Sequence, residues 1–503
     1  MIDKKNIWGL FIVSALAGLL VYLLWWRLQV SQIRFFDADE FSYLHWTAQI
    51  VRGEREYIDF ISFVSPGFKW ALSPIVWFYG VNINIFTTAR MMSLVIFGGI
   101  LASISILFGI TRNWKWAILP AVILAFLPMP YDKFLEIRPD NLAILLVLIG
   151  VIGEIQGILG KTQVWWLVSG ILYSASLFVL IKTLPIVLIG LLIGVFSVIS
   201  RKSSMVDFLK KPGMLMFGLL VPWMLYFVCA WASGNFEVIW YSLTRMPFEV
   251  YKFAVNTPMV ANLFFYPNVS FYGGYGITTG LVVNHLLWLF GIFVGTYRLL
   301  NPLQFGDRRK VWTELFIATI FFVSIFAYVK YFPLKHSQYL IPIAIFIAYY
   351  AADGLSAFFS WIHRVYGYPV FIIVVLGFTI LLITVTREVN APKLAVSNAA
   401  QLAELSHLLR VVPSDARVVD LDGRMVFWPD GYPISAMPFD SFLQYMSKPP
   451  PPLATYLSKY PADYIYQGDT GRLTELTQVN SAYVREHFAP VPGWGDRLWK
   501  RLQ

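Results

Sequence analysis

Cysteine is all but missing from this chain: Cys229 is the only one in 503 residues. One thiol excludes an intrachain disulfide and every Cys-x-x-Cys metal or redox motif. The six histidines are scattered, without a His-x-x-x-His pair, so no metal-ligand set stands out and no essential metal or other cofactor is expected. A glycine-rich phosphate-binding loop is missing too, which argues against ATP or a nucleotide-sugar as substrate. Charge is scarce, at 14% of residues against 58% hydrophobic and 17% aromatic. That balance excludes a soluble globular protein.

What the chain has is hydrophobic length. Apolar runs near 8–30, 87–110, 114–130, 139–156, 164–181, 183–200, 213–232, 278–299, 312–329, 338–359 and 368–386 read as eleven membrane spans, each close to the length that a hydrocarbon core of ~30 Å requires. The first run has a basic start but is too long for a signal-peptide core, so it reads as an uncleaved span. The 19 Trp and 27 Tyr suit two interfacial belts. The net charge of +10 does not point to nucleic acid, because much of it sits in short connections: Lys4 and Lys5, Arg112 and Lys115, Arg201 to Lys211, and Arg308-Arg309-Lys310. Such residues gather on the cytoplasmic side, which places the N-terminus inside and, with an odd number of spans, the C-terminus outside.

Three long segments then fall on the outer face. They are a loop over 31–84, a loop over 233–278 rich in aromatics and glycine (Phe264-Phe265-Tyr266-Pro267, Tyr272-Gly273-Gly274-Tyr275-Gly276), and the tail from 387. In the tail, 416–421 and 462–466 alternate like strands, 398–410 and 452–459 read as helices, and the proline run ending at Pro452 is a rigid connection. The expected fold class is an all-α polytopic membrane protein with juxtamembrane helices in its first outer loop. Residues 1–386 form the membrane domain and 387–503 a small extracytoplasmic α/β domain.

The residues that carry chemistry cluster in the outer loops. Asp37-Ala38-Asp39-Glu40 places three carboxylates in four residues just beyond the first span, beside a bilayer where charge is costly. Asp37 and Glu40 have the spacing of a capping box for a helix from Ala38 to Arg52, stopped by Gly53. Asp39 is not used by that box. Asp39 shares a face with Tyr43, Trp46 and Ile50, and the opposite side is also apolar, so the helix is expected along the membrane surface. A partly desolvated carboxylate there suits a general base. Lys69 has two readings, a phosphate contact or a lysine snorkelling to the interface. Arg138 and Asp140 at the mouth of the fourth span are either a cap with its ion pair or a site for an anionic substrate. Lys335 and His336, followed by Gln338 and Tyr339, run against the charge bias and call for a partner, a lipid phosphate or ordinary headgroups.

On these residues the chain resembles the integral-membrane glycosyltransferases of the GT-C type, and more narrowly the family 39 group with the protein O-mannosyltransferases and lipid A aminoarabinose transferases. Four features carry the likeness: Asp39-Glu40 after span one, the Tyr43 and Ala48 spacing behind it, Arg138-x-Asp140, and Lys335-His336-x-Gln338-Tyr339-Leu340-x-Pro342. The resemblance implies an inverting transfer of a sugar from a polyprenyl-phosphate donor to a hydroxyl of a glycolipid, glycan or protein, on the outer face of a membrane, a bacterial inner membrane by preference. It implies Asp39 and Glu40 as the catalytic pair, Asp39 being the base. Asp37, Lys69, Arg138, Asp140, Lys335, His336 and Tyr339 would contact substrate. Where the family often has Lys-Pro-Pro, this chain has Ser65-Pro66-Gly67-Phe68-Lys69, so acceptor contacts from that segment are not carried over. The competing readings are a lipid or glycan flippase, which would want charges near the midplane of the spans, and an O-antigen ligase or polymerase.

Overall fold

The computed structural model describes residues 4–200, 205–256, 269–332, 335–435 and 443–502. Arg201, Lys202 and the run Phe264-Phe265-Tyr266-Pro267 lie outside them. Helix α1 (Lys4–Ile33) leads to two helices of the first loop, α2 (Ala38–Val51) and α3 (Gly67–Tyr79), and then to α4 (Asn84–Thr111), α5 (Leu119–Phe126), α6 (Pro139–Ile158), α7 (Val164–Val179) and α8 (Leu184–Ile199). Next come α9 (Met205–Ala232), the short α10 (Phe236–Thr244), α11 (Met246–Asn256) and α12 (Val269–Tyr272), followed by α13 (Thr279–Leu300), α14 (Arg308–Lys330) and α15 (Ile341–Asn390).

Among the described residues eight helices are long and apolar enough to cross a membrane, and the chain is a multi-pass membrane protein. The longest, α15, holds two of the expected spans. Gly367 divides it with φ 73°, a left-handed conformation that glycine reaches without a Cβ penalty. The expected spans over 114–130 and 164–181 are shorter helices. Helix α5 has eight residues, all buried, and at 1.5 Å per residue reaches only about 12 Å. It stops at Leu127, held extended before Pro128, and the buried Arg27 reaches its end: Nε donates to Ala125 O at 2.9 Å, Nη2 to Leu124 O at 3.3 Å and Nη1 to Tyr131 O at 3.2 Å. Those bonds satisfy carbonyls that a helix C-terminus leaves open.

After α15, which runs four residues past the expected boundary at 386, the chain forms α16 (Ala399–Val411), β1 (Val418–Asp420), α17 (Leu453–Lys459), β2 (Tyr464–Tyr466), α18 (Gln478–His487), β3 (Phe488–Pro490) and β4 (Leu498–Arg501). The sheet order is β1-β2-β4-β3, with β1 parallel to β2 and the other two pairs antiparallel. The two strands expected from alternation are there, trimmed to three residues each. Strands β3 and β4 were not legible, being short and without alternation.

One expectation is corrected. Ten of the fourteen residues of α2 are buried, and its apolar faces meet protein rather than lie open to a membrane surface. Phe41, Leu44, Phe68 and Leu72 share a core with Val418, Met425, Trp428 and Tyr466. The sheet region therefore covers the first loop. On the other side α3 docks on α7 through Gly67, where a Cβ would stand 2.8 Å from the Phe178 carbonyl oxygen.

Candidate active site

The site starts at the N-terminus of α2. Asp37 is its N-cap, accepting from Asp39 N at 3.1 Å, and the capping box with Glu40 is complete. Glu40 is fully buried and saturated. Its Oε2 accepts from Asp37 N at 2.9 Å and Arg90 Nη2 at 2.7 Å, and its Oε1 from Ile137 N at 3.0 Å and Arg90 Nε at 2.9 Å. The remaining Arg90 donors go to the carbonyls of Ser31 (2.7 Å), Arg34 (2.6 Å) and Phe35 (2.7 Å). Glu40 thus tethers α2 to α4 and to the start of α6 and has no lone pair left for a substrate. Asp39 is the carboxylate that the box leaves out, and its side chain is 52% exposed. At about half exposure it is less covered than the partly desolvated carboxylate expected at a membrane surface.

Arg138, the N-cap residue of α6, reaches across to Asp39. Its Nη2 donates to Asp39 Oδ2 and lies 3.7 Å from Asp37 Oδ1, while Nε donates to Glu136 Oε2 at 2.6 Å. The ladder continues: Lys133 bonds Asp37 at 3.1 Å and both Glu136 oxygens at 2.8 Å, Arg34 bonds Glu136 at 3.1 Å and approaches Asp132 at 3.5 Å, and Lys393 bonds Asp132 at 2.8 Å. Four cations face four carboxylates. Burial pushes the Asp37 carboxyl up, but Lys133 and Arg138 outweigh it and hold it well below the usual range. A depressed folded-state pKa contributes stability that is present above the unfolded value, about 3.9, and is lost as pH falls through the folded one. Asp37→Asn should therefore flatten the acid side of the stability curve, read as thermal midpoints of wild type and variant from about pH 6 down to pH 3.

His336 lies within reach of the charges of Arg138, Asp39 and Lys133, and Tyr339 lines the neighbouring pocket. Burial and then the Arg138 charge lower the His336 pKa, which favours the neutral imidazole. Tyr339 stacks on Phe332 at 4.4 Å, and Lys182 Nζ lies 4.5 Å from the Tyr339 ring centre. Asp140, Lys182, Gln338 and Tyr339 line a pocket that continues to Ile144 and Ile186, one turn farther along α6 and α8. Lys182 holds no salt bridge among the described residues.

Two expected site residues are elsewhere. Lys69 is fully buried, 2.7 Å from Glu56 and bonded to Ser62 Oγ, Val64 O and Ser65 O at 3.0 to 3.1 Å. It neither snorkels nor faces a phosphate; it fixes the turn before α3. Lys335 donates to Tyr328 O at 2.6 Å and Val329 O at 2.9 Å, closing the C-terminus of α14. Arg34, Arg90, Lys133 and Lys393 escaped the sequence reading. Arg90 had a usable signal, since an arginine inside an apolar span needs a partner.

No protein-family model and no curated protein sequence matches the chain. Solved structures do. The oligosaccharyltransferase of Archaeoglobus fulgidus tethered to an acceptor peptide aligns with a TM-score of 0.55 and 11% identity, over 98% of this chain and 74% of its own. The same organism's AglB, in complex with an inhibitory peptide and dolichol-phosphate, gives 0.53 and 10% over 99% and 74%. ArnT from Cupriavidus metallidurans bound to undecaprenyl phosphate gives 0.50 and 12% over 83% and 84%. At such identities the likeness is one of fold, and the chain has the GT-C-type fold of integral-membrane glycosyltransferases.

Proposed function

We propose that this protein transfers a sugar from a polyprenyl-phosphate carrier to an acceptor hydroxyl at the extracytoplasmic face of a membrane, with inversion at the anomeric carbon. The observation that carries the reading is Asp39: a half-exposed carboxylate on a capped helix, paired with Arg138, which stands two residues before Asp140 in the lining of the pocket that Lys182 shares. Neighbours of the same fold bind dolichol-phosphate and undecaprenyl phosphate, which supports a carrier of that class here.

In this reading Asp39 takes the acceptor hydroxyl proton as that oxygen bonds to the anomeric carbon. The bond from carbon to the carrier's phosphate oxygen breaks on the opposite face, and its electron pair leaves with the lipid phosphate. Arg138 and Lys182 stabilise the charge gathered there, His336 can donate a hydrogen bond to it, and no step calls for a metal. Glu40 acts as a positioning residue, while Asp37 and Asp140 orient the basic groups. Lys69 and Lys335 are assigned no substrate contact.

The test is transfer of radiolabel from polyprenyl-phosphate sugars in membranes. Label moving to a new acceptor supports the reading and identifies sugar and acceptor together. No transfer from any donor by folded protein would sink it in favour of a transporter. Lys182→Ala is expected to raise the donor KM about tenfold or more, the worth of one hydrogen bond to a charged group, with a smaller change in kcat.

A further inference from the structure

The catalytic reading uses only the first turn of α2, yet the rest of that helix carries buried polar side chains, and the region after the last span takes hold of them. The hold begins before α2. Phe35 N donates to Val396 O at 3.2 Å, Asn398 N to Ile33 O at 2.8 Å, and Asn398 Nδ2 to Gln32 O at 2.8 Å. Gln401 then grips the residue next to Asp37 from both sides: its Oε1 accepts from Phe36 N at 2.6 Å and its Nε2 donates to Phe36 O at 2.9 Å.

The far end of α2 is held by a second element. His45 Nδ1 meets Met425 O at 3.0 Å and Nε2 meets Asp430 Oδ1 at 2.9 Å, Gln49 Nε2 donates to Trp428 O at 2.9 Å, and Arg52 Nη2 donates to Phe427 O. The Met425 carbonyl only accepts, so His45 Nδ1 donates; Nε2 faces both the Asp430 carboxylate and, at 3.2 Å, the Gln49 amide nitrogen, and the carboxylate favours the protonated ring. The loop that receives them is fixed in turn by Asp420, which accepts from the backbone N–H of Asp422, Gly423 and Met425 at 2.8 to 3.0 Å.

We infer that the sheet domain is a clamp that sets the reach of the catalytic base, with Gln401 and the His45–Asp430 pair as its positioning residues. The inference rests on the proposed role of Asp39. The capping box and Arg90 close the first turn of α2 locally; the clamp fixes where the whole helix sits. A displacement of about 1 Å at a reacting group is enough for a hundredfold loss, so a helix held at both ends by one body is a catalytic requirement as well as a packing one.

Gln401→Ala and Asp430→Asn, each made in the full chain, test this. Both leave Arg138 and Lys182 in place. The expected result is a kcat lower by about ten- to a hundredfold with donor KM unchanged, per molecule that still binds undecaprenyl phosphate. Asp430→Asn adds a pH signature. The charged groups facing His45 are Asp430, Asp420, Arg52 and Glu54, and their sum raises its pKa against the burial that lowers it. A raised histidine pKa stabilises at low pH and is lost as pH rises through it, so the variant's alkaline limb should move to lower pH. Hydrogen exchange reads the clamp without catalysis: amides over 38–44 should exchange faster in both variants, and those at the start of α6 should not. Unchanged kcat and unchanged exchange in the variants would overturn the clamp while wild-type transfer still upheld the glycosyltransferase reading. Absent transfer by wild type, with faster exchange in the variants, would remove the reading and with it the clamp's catalytic role, leaving only its hold on α2.

Discussion

Replacing Asp39 with asparagine lowers sugar transfer by about 10²–10⁴-fold, the usual contribution of a positioned general base, in a protein that stays folded and still binds its carrier. The substitution preserves shape and removes one carboxylate that is already half exposed, so it leaves no cavity. Arg138 is not stranded either, because Glu136 at 2.6 Å and Asp37 at 3.7 Å still face it. In the proposed mechanism Asp39 and the carrier phosphate compete for that guanidinium, so the variant should bind undecaprenyl phosphate at least as tightly as wild type. Loss of kcat with retained or tighter carrier binding separates a base from a structural acid. A variant with full transfer would remove Asp39 from the chemistry. Glu40 could not replace it, with every lone pair engaged, and Asp37 is committed to Lys133 and the cap. Asp140 at the pocket would then be the remaining acid.

The parts of this site that sequence made legible are those set by neighbours in the chain. Asp37 and Glu40 are three residues apart, and the box they predicted is formed. Arg138 and Asp140 were placed together at the head of an apolar helix, where they stand. Spans follow from composition, since a hydrocarbon core selects for length and apolarity whatever packs beside them. What failed depended on partners distant in sequence. Lys69 was read without Glu56 and the carbonyls that bury it. Lys335 was expected on a lipid phosphate or headgroup, whereas the carbonyls of Tyr328 and Val329 at the end of α14 accept from it. The apolar faces of α2 gave no sign of whether lipid or protein covers them; the cover comes from Met425 to Asp430, some 380 residues later. Periodicity reports that a face is buried and is silent about what buries it.

Arg90→Leu should be the most destabilising single change near the site, by about 3–5 kcal/mol, the usual result of leaving one partner of a buried ion pair behind. Every N–H of the Arg90 guanidinium is used, two on Glu40 and three on the carbonyls of Ser31, Arg34 and Phe35. Those carbonyls belong to the end of α1 and the link into α2, so one side chain of α4 gathers the whole approach to Asp37. Lysine is no substitute: its three donors lack the planar fork that spans a carboxylate and three carbonyls at once, and Arg90→Lys should also be unstable. Thermal unfolding of detergent-solubilised protein measures both. The pair can be separated from its consequence with Arg90→Leu combined with Glu40→Leu, since removing both charges spares the desolvated carboxylate and should recover much of the stability. Activity should not return with it, because α2 has lost the tether that aims Asp39. A double variant that regained transfer would mean that the tether holds the fold and nothing more; a single Arg90→Leu variant as stable as wild type would mean that the pair adds nothing net to stability.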